Sequence, residues 1–198
     1  MANAIDRSSK LPGWRYEEIK DAASKLLTRL DIHSFPIDPM AIAQKMRLEL
    51  RAYSTLPSDS RSTALKVSPD GFSSRAPEGR YIICYNDTAF PSRINFTLMH
   101  EIWHVLLGHT EHGRLAELEA NFAAGYTLAP PPALWASNPP AQQVDIELLC
   151  GISDQAAEYA WRRYQSWIAY HRANQPLESY EMSLIELFSV HKNGGMRR

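Results

Sequence analysis

Two histidines and a glutamate stand in the pattern His-Glu-x-x-His within His100-Glu101-Ile102-Trp103-His104. On a helix, His100 and His104 are one turn apart and point the same way. Two imidazoles at that spacing can hold one divalent metal. Glu101 lies about 100° further round the helix and reaches a water at that metal without being a ligand. Zinc lowers the pKa of such a water to about 7, and a carboxylate can take its proton as the water attacks a carbonyl. The chemistry this spacing suits is metal-assisted hydrolysis.

A catalytic zinc usually has three protein ligands and an open fourth position. In a metzincin, a glycine three residues after the second histidine and a histidine three further on complete the site. Here those positions hold Leu107 and Thr110, which excludes that class. The segment Glu117-Leu118-Glu119-Ala120-Asn121 offers two carboxylates instead. Glu117 and Asn121 share a helix face, and Glu119 points away from it. The geometry therefore favours Glu117 as third ligand, with Asn121 placed to hydrogen-bond a ligand histidine. Gly108 and Gly113 permit a tight reversal between the two helices. His109 and His112 fit no ligand template and read as surface histidines. Cys84 and Cys150 read as small buried apolar residues, since nothing nearby marks either as a nucleophile. Tyr126, Tyr159, Tyr164 and His171 are candidate oxyanion donors, and the sequence chooses none of them.

These side chains need a frame. Ile19, Ala22, Ala23, Leu26, Leu27 and Leu30 form one apolar stripe, predicting an amphipathic helix over 14–30. Asp38 followed by Pro39 starts a short second helix. Leu48, Leu50 and Ala52 alternate as in a strand, and Leu65 with Val67 suggests another. Pro69-Asp70-Gly71 makes a turn, and Tyr81–Tyr85 reads as a strand, either central or an edge able to take up an extended substrate. The helix bearing the two histidines spans about 92–108, with Ser92 as cap and Gly108 as stop. It is apolar nearly all round, as a buried central helix would be. A further helix runs from about 114 to 128. The prolines of 130–140 read as a boundary, followed by helices near 142–149, from Ser153 to about 171 and from Ser179 to about 190, then a basic, glycine-containing tail from Lys192.

The chain has 198 residues, with 22 acidic and 21 basic side chains and a net charge of −1. That balance argues against a protein held to nucleic acid by bulk charge. Its 44% hydrophobic content is ordinary for a globular chain of one domain. No apolar run approaches the roughly 20 residues that span a membrane. The N-terminal MANAIDRSSK lacks a signal peptide's apolar segment. Two cysteines are too few for a disulfide framework, so the expected location is cytoplasmic.

Arg93-Ile94-Asn95-Phe96-Thr97-Leu98-Met99-His100-Glu101, then His104, then Glu117-x-Glu119-Ala120-Asn121-Phe122-Ala123-Ala124 and a Leu-Ala-Pro ending at Pro130 resemble the ImmA/IrrE family of bacterial metallopeptidases. Ile37-Asp38-Pro39, Pro69-Asp70-Gly71-Phe72, and Ile83 with Tyr85-Asn86-Asp87 extend the likeness to about residues 14–132. Met99 and Ala129 depart from the family pattern, and neither touches a candidate ligand. The resemblance implies a small gluzincin-like α+β fold with a short, mostly antiparallel sheet and a central His-Glu-x-x-His helix. Residues 1–132 would be catalytic, with 133–198 a helical subdomain packed on them. It implies a zinc endopeptidase with His100, His104 and Glu117 as ligands and Glu101 as base. The usual substrate in that family is a helix-turn-helix transcriptional repressor, whose cleavage relieves repression.

Two other classes of function stand beside this one. A non-catalytic anti-repressor would keep the zinc and act by binding alone. A DNA-binding regulator would use 145–171, which has helix-turn-helix spacing and would expose Gln155, Glu158, Arg162 and Arg163. Against direct DNA binding, Trp161, Tyr164, Trp167 and Ile168 suit a helix that packs on the catalytic body, and the charge is near neutral.

Overall fold

The computed structural model describes residues 10–110 and 113–189. His112 and the tail from Lys192 lie outside them. The fold is α+β, as expected. In chain order it comprises α1 (Gly13–Arg29), α2 (Pro39–Lys45), β1 (Glu49–Ala52), a single 3₁₀ turn (Tyr53–Thr55), α3 (Ser58–Val67), β2 (Gly71–Arg75) and β3 (Tyr81–Tyr85). There follow α4 (Pro91–Leu106), α5 (Arg114–Leu128), α6 (Pro131–Ser137), α7 (Gln143–Cys150), α8 (Asp154–Arg172) and α9 (Ser179–Ser189).

The sheet is small and mixed, in the order β1-β3-β2. β3 runs antiparallel to β2 and parallel to β1, so the expected antiparallel pairing holds for one ladder of two. β3 is central, with both sides paired. It cannot accept a substrate strand, and the edge beside α4 is β2.

α4 is the pivot of the core. Leu98, Met99, Ile102 and Trp103 are buried on it, against α2, the sheet and α5. Pro91 occupies its first turn after an extended Phe90, so Phe90 and not Ser92 holds the cap position. Trp103 Nε1 donates to Thr127 Oγ1 at 2.9 Å, inside the core, and so pins α4 to α5. Truncating a buried aromatic of this kind costs about 3–5 kcal/mol. This pairing sets the histidine face of α4 opposite the first turns of α5.

Three local expectations fail for identifiable reasons. Leu65 and Val67 belong to helix α3, not a strand. Both are exposed, and only Ala64 is buried, so their alternation has no sheet face behind it. The stretch after Pro130 contains α6, whose first residues Pro131, Pro132, Ala133 and Leu134 are buried; proline fits a helix's first turn. Arg163 is not a free surface cation. It donates to the Gly125 carbonyl at 2.7 Å, and burial pushes its pKa down to about 10. Ala157, Ala160 and Tyr164 of α8 are buried, so this helix packs inward. Ser153 caps it through the Ala156 amide, as expected.

Gly71 opens β2 where three elements crowd together. A Cβ there would lie 2.7 Å from Thr97 Cγ2 of α4 and 2.9 Å from the Cys84 carbonyl oxygen of β3. The second neighbour is backbone and cannot swing aside. Gly71→Ala is therefore expected to destabilise by about 1–3 kcal/mol, read as a lowered midpoint in denaturant. An unchanged midpoint would show that β2 and α4 are free to part. Arg93, in the first turn of α4, forms a two-pronged ion pair with Asp70 and ties the helix to the strand's entry.

Candidate metal centre

His100 and His104 both turn Nε2 toward α5, with the two atoms 2.9 Å apart. Glu117, in the first turn of α5, meets them: Oε2 lies 3.4 Å from His100 Nε2, and Oε1 lies 3.3 Å from His104 Nε2. These three residues can together hold one metal ion. Zinc takes nitrogen and oxygen ligands at about 2.0–2.2 Å in a tetrahedron, whose edge is then about 3.3–3.6 Å. Both histidine–glutamate distances are close to that edge, but each runs to a different oxygen of Glu117, so a tetrahedral ion would need one of those oxygens to turn between the two imidazoles. The imidazoles need to part by a few tenths of an ångström, which side-chain torsions supply.

Glu101 is buried, and its Oε2 has no hydrogen-bond partner among the described residues. Buried polar atoms without partners are rare and call for an explanation. Glu101 also lines the cleft onto which His100 and Glu117 open, where such an acceptor is a candidate for chemistry. His100 Nδ1 is likewise buried and unpartnered.

His100 and Glu117 line a cleft of about 450 Å³, with His104 buried behind them. Phe96, Thr97, His100 and Glu101 of α4 form its floor, and Glu117 and Asn121 of α5 one side. Ser68, Asp70, Gly71 and Phe72, at the start of β2, form the other. Asn121 is exposed on the wall, and no hydrogen bond joins it to a ligand histidine among the described residues. None of Tyr126, Tyr159, Tyr164 and His171 lines the cleft. Tyr126 is in the core, and His171 faces Glu181 on α9. Cys84 and Cys150 are free and buried. Burial raises the pKa of both, that of Cys150 to about 12, so neither is an activated thiol.

A family model described as the IrrE N-terminal-like domain, a peptidase family, matches residues 60–162. That segment is more than half of the chain. The chain belongs to this family. No curated protein matches it. The IrrE-like segment contains His100, Glu101, His104 and Glu117, and it runs past the prolines of 130–140 into α8. A peptidase family implies a protein as substrate. No helix among the described residues is long and apolar enough to cross a membrane.

Sequence reasoning set His109 aside as a surface residue. In the structure its ring is largely buried, with Nδ1 3.0 Å from His104 Nδ1 and Nε2 3.0 Å from Glu119 Oε2. Glu119 in turn accepts from Arg15 Nε and Nη2 of α1, each at 2.8 Å. The Arg15 guanidinium holds the Glu119 carboxyl below the usual range. A signal for His109 did exist, in a histidine directly after the glycine that stops the helix of His100 and His104. Nothing in the sequence pointed to Arg15, which sits 104 residues from Glu119.

Proposed function

We propose that this protein is a zinc-dependent endopeptidase on a gluzincin-like plan, acting in the cytoplasm on a helix-turn-helix transcriptional repressor to relieve repression. The observation that carries the reading is the convergence of His100, His104 and Glu117 at a cleft that His100, Glu117 and the buried Glu101 line together. His100, His104 and Glu117 would hold the metal. Zinc there would make a coordinated water nucleophilic near neutral pH and polarise the scissile carbonyl. Glu101 takes the proton from the attacking water and later delivers it to the leaving amine. Residues 1–132 carry this chemistry, and 133–198 support it from α9, which packs on α1. The repressor as substrate rests on the family resemblance.

β2 suits the role of substrate guide. It is an edge strand, and its first residues border the cleft, so an extended peptide can add to the sheet there. Bound to the Glu101→Gln variant, a substrate peptide should slow amide exchange in Gly71–Arg75 and leave β1 unaffected. Equal exchange with and without peptide would exclude this docking mode.

The decisive experiment incubates the protein and Zn²⁺ with a helix-turn-helix repressor encoded beside it. Two fragments by mass spectrometry, abolished by chelation and restored by added zinc, are the expected result. Intact repressor released from DNA at stoichiometric protein would replace the peptidase reading with an anti-repressor that only binds.

A further inference from the structure

The two histidines facing Glu117 are not equivalent, and the difference lies behind them. His104 Nδ1 meets His109 Nδ1, His109 Nε2 meets Glu119 Oε2, and Arg15 holds both oxygens of Glu119. His100 Nδ1 has no hydrogen-bond partner among the described residues. We propose that His109, with Glu119 and Arg15 behind it, is a positioning device that sets the tautomer and ring angle of His104, making His104 the anchoring ligand of the metal. This rests on the reading of His104 as a ligand.

For neutral imidazoles, the donors and acceptors along the path leave one consistent order. Arginine only donates, so Glu119 accepts from it as a carboxylate. Glu119 then also accepts from His109, which places that ring's proton on Nε2. A neutral His109 therefore offers a lone pair at Nδ1, and His104 must donate its own Nδ1–H to it. The remaining lone pair of His104 lies on Nε2, the atom that faces Glu117. A ring donating its far N–H toward a carboxylate is a better and better-oriented metal ligand. Here a second imidazole carries that effect across a gap the carboxylate does not span.

The backbone builds this contact. Gly108 has φ +67°, and the helix ends in a Schellman motif: His109 N donates to the His104 carbonyl at 3.0 Å, and Gly108 N to that of Val105 at 3.2 Å. That closure folds the residue after the glycine back over the last turn and stacks the His109 ring edge-on to His104, with centroids 5.0 Å apart. The environment is dry: the side chains of His104, His109 and Glu119 are 2%, 12% and 8% exposed. Arg15 lies on α1, outside the segment matched by the family model, so the brace ties that helix to the metal centre.

The test is metal affinity, measured on the full chain by zinc competition with a chromophoric chelator, alongside the visible spectrum of the Co²⁺ form. His109→Ala should bind zinc about 10–100-fold more weakly and shift the Co²⁺ bands. His109→Gln should recover most of the affinity, because its carbonyl can accept from His104 while its amide donates to Glu119. A purely structural His109 would lower the melting temperature in both variants without moving the affinity of folded protein. If His109→Ala does not fold, the isosteric Glu119→Gln carries the test, with an expected fall of about threefold or more. Zinc affinity within twofold of wild type in the folded variant overturns the brace and leaves the metal site standing. A wild-type protein that holds no metal overturns both.

Discussion

Glu101→Gln is expected to leave the metal bound and to cut turnover about 10²–10⁴-fold, the range that a positioned general base contributes. The substitution is nearly isosteric, so the packing of the buried side chain survives. What is lost is basicity. Glu101 Oε2 has no hydrogen bond to give up, so its replacement by an amide breaks no existing contact. The three proposed ligand side chains are untouched, and metal content by elemental analysis should stay at one equivalent. The pairing of retained metal with lost turnover is the diagnostic, because a folding defect would remove both. Turnover equal to wild type would refute the role of Glu101 and with it the hydrolytic order of events.

The parts of this site that were legible in the sequence are those set by local spacing. His100, Glu101 and His104 follow from one helical turn, and Glu117 from its phase on the next helix. α5 (Arg114–Leu128) lies within a residue of where the sequence places it, because Gly113 and Pro130 bracket a long periodic run. α1 was equally plain, since Ile19, Ala23, Leu26 and Leu27 all face the core. β2 was hidden because Gly71-Phe72-Ser73-Ser74-Arg75 has little strand character of its own. Pairing with β3 makes it a strand. α3 was misread because Leu65 and Val67 point to solvent, where hydrophobicity reports nothing about a core. Arg163 was misplaced for a related reason. Its charge suggests water, but a backbone carbonyl at the Gly125 turn of α5 takes it up. The Arg15–Glu119 pair depends on α1 crossing α5, a tertiary fact that no local pattern carries.

Glu117 and Glu119 stand two residues apart on one helix, and their replacement by alanine should give opposite results. Glu117→Ala removes the only carboxylate grouped with the two candidate ligand imidazoles among the described residues. Zinc affinity should then fall by more than the roughly 10–100-fold that losses behind the ligands cost, and turnover should fall with it. Its side chain is 40% exposed, so stability of the metal-free protein should change by no more than about 0.5 kcal/mol. Glu119→Ala should do the reverse. It strands the Arg15 guanidinium and His109 Nε2 in a largely buried place, at a cost of about 1–3 kcal/mol. Its zinc affinity should fall less than that of Glu117→Ala, since all three ligands remain. Denaturant midpoints of the metal-free proteins and zinc affinities of the folded ones separate the two effects. Were Glu119→Ala to lose the metal completely while Glu117→Ala kept it, the ligand set would be His100, His104 and Glu119. The Arg15 pair would then have to open whenever metal binds. Against that exchange stands the charge on Arg15, whose two hydrogen bonds hold Glu119 in place before any metal arrives.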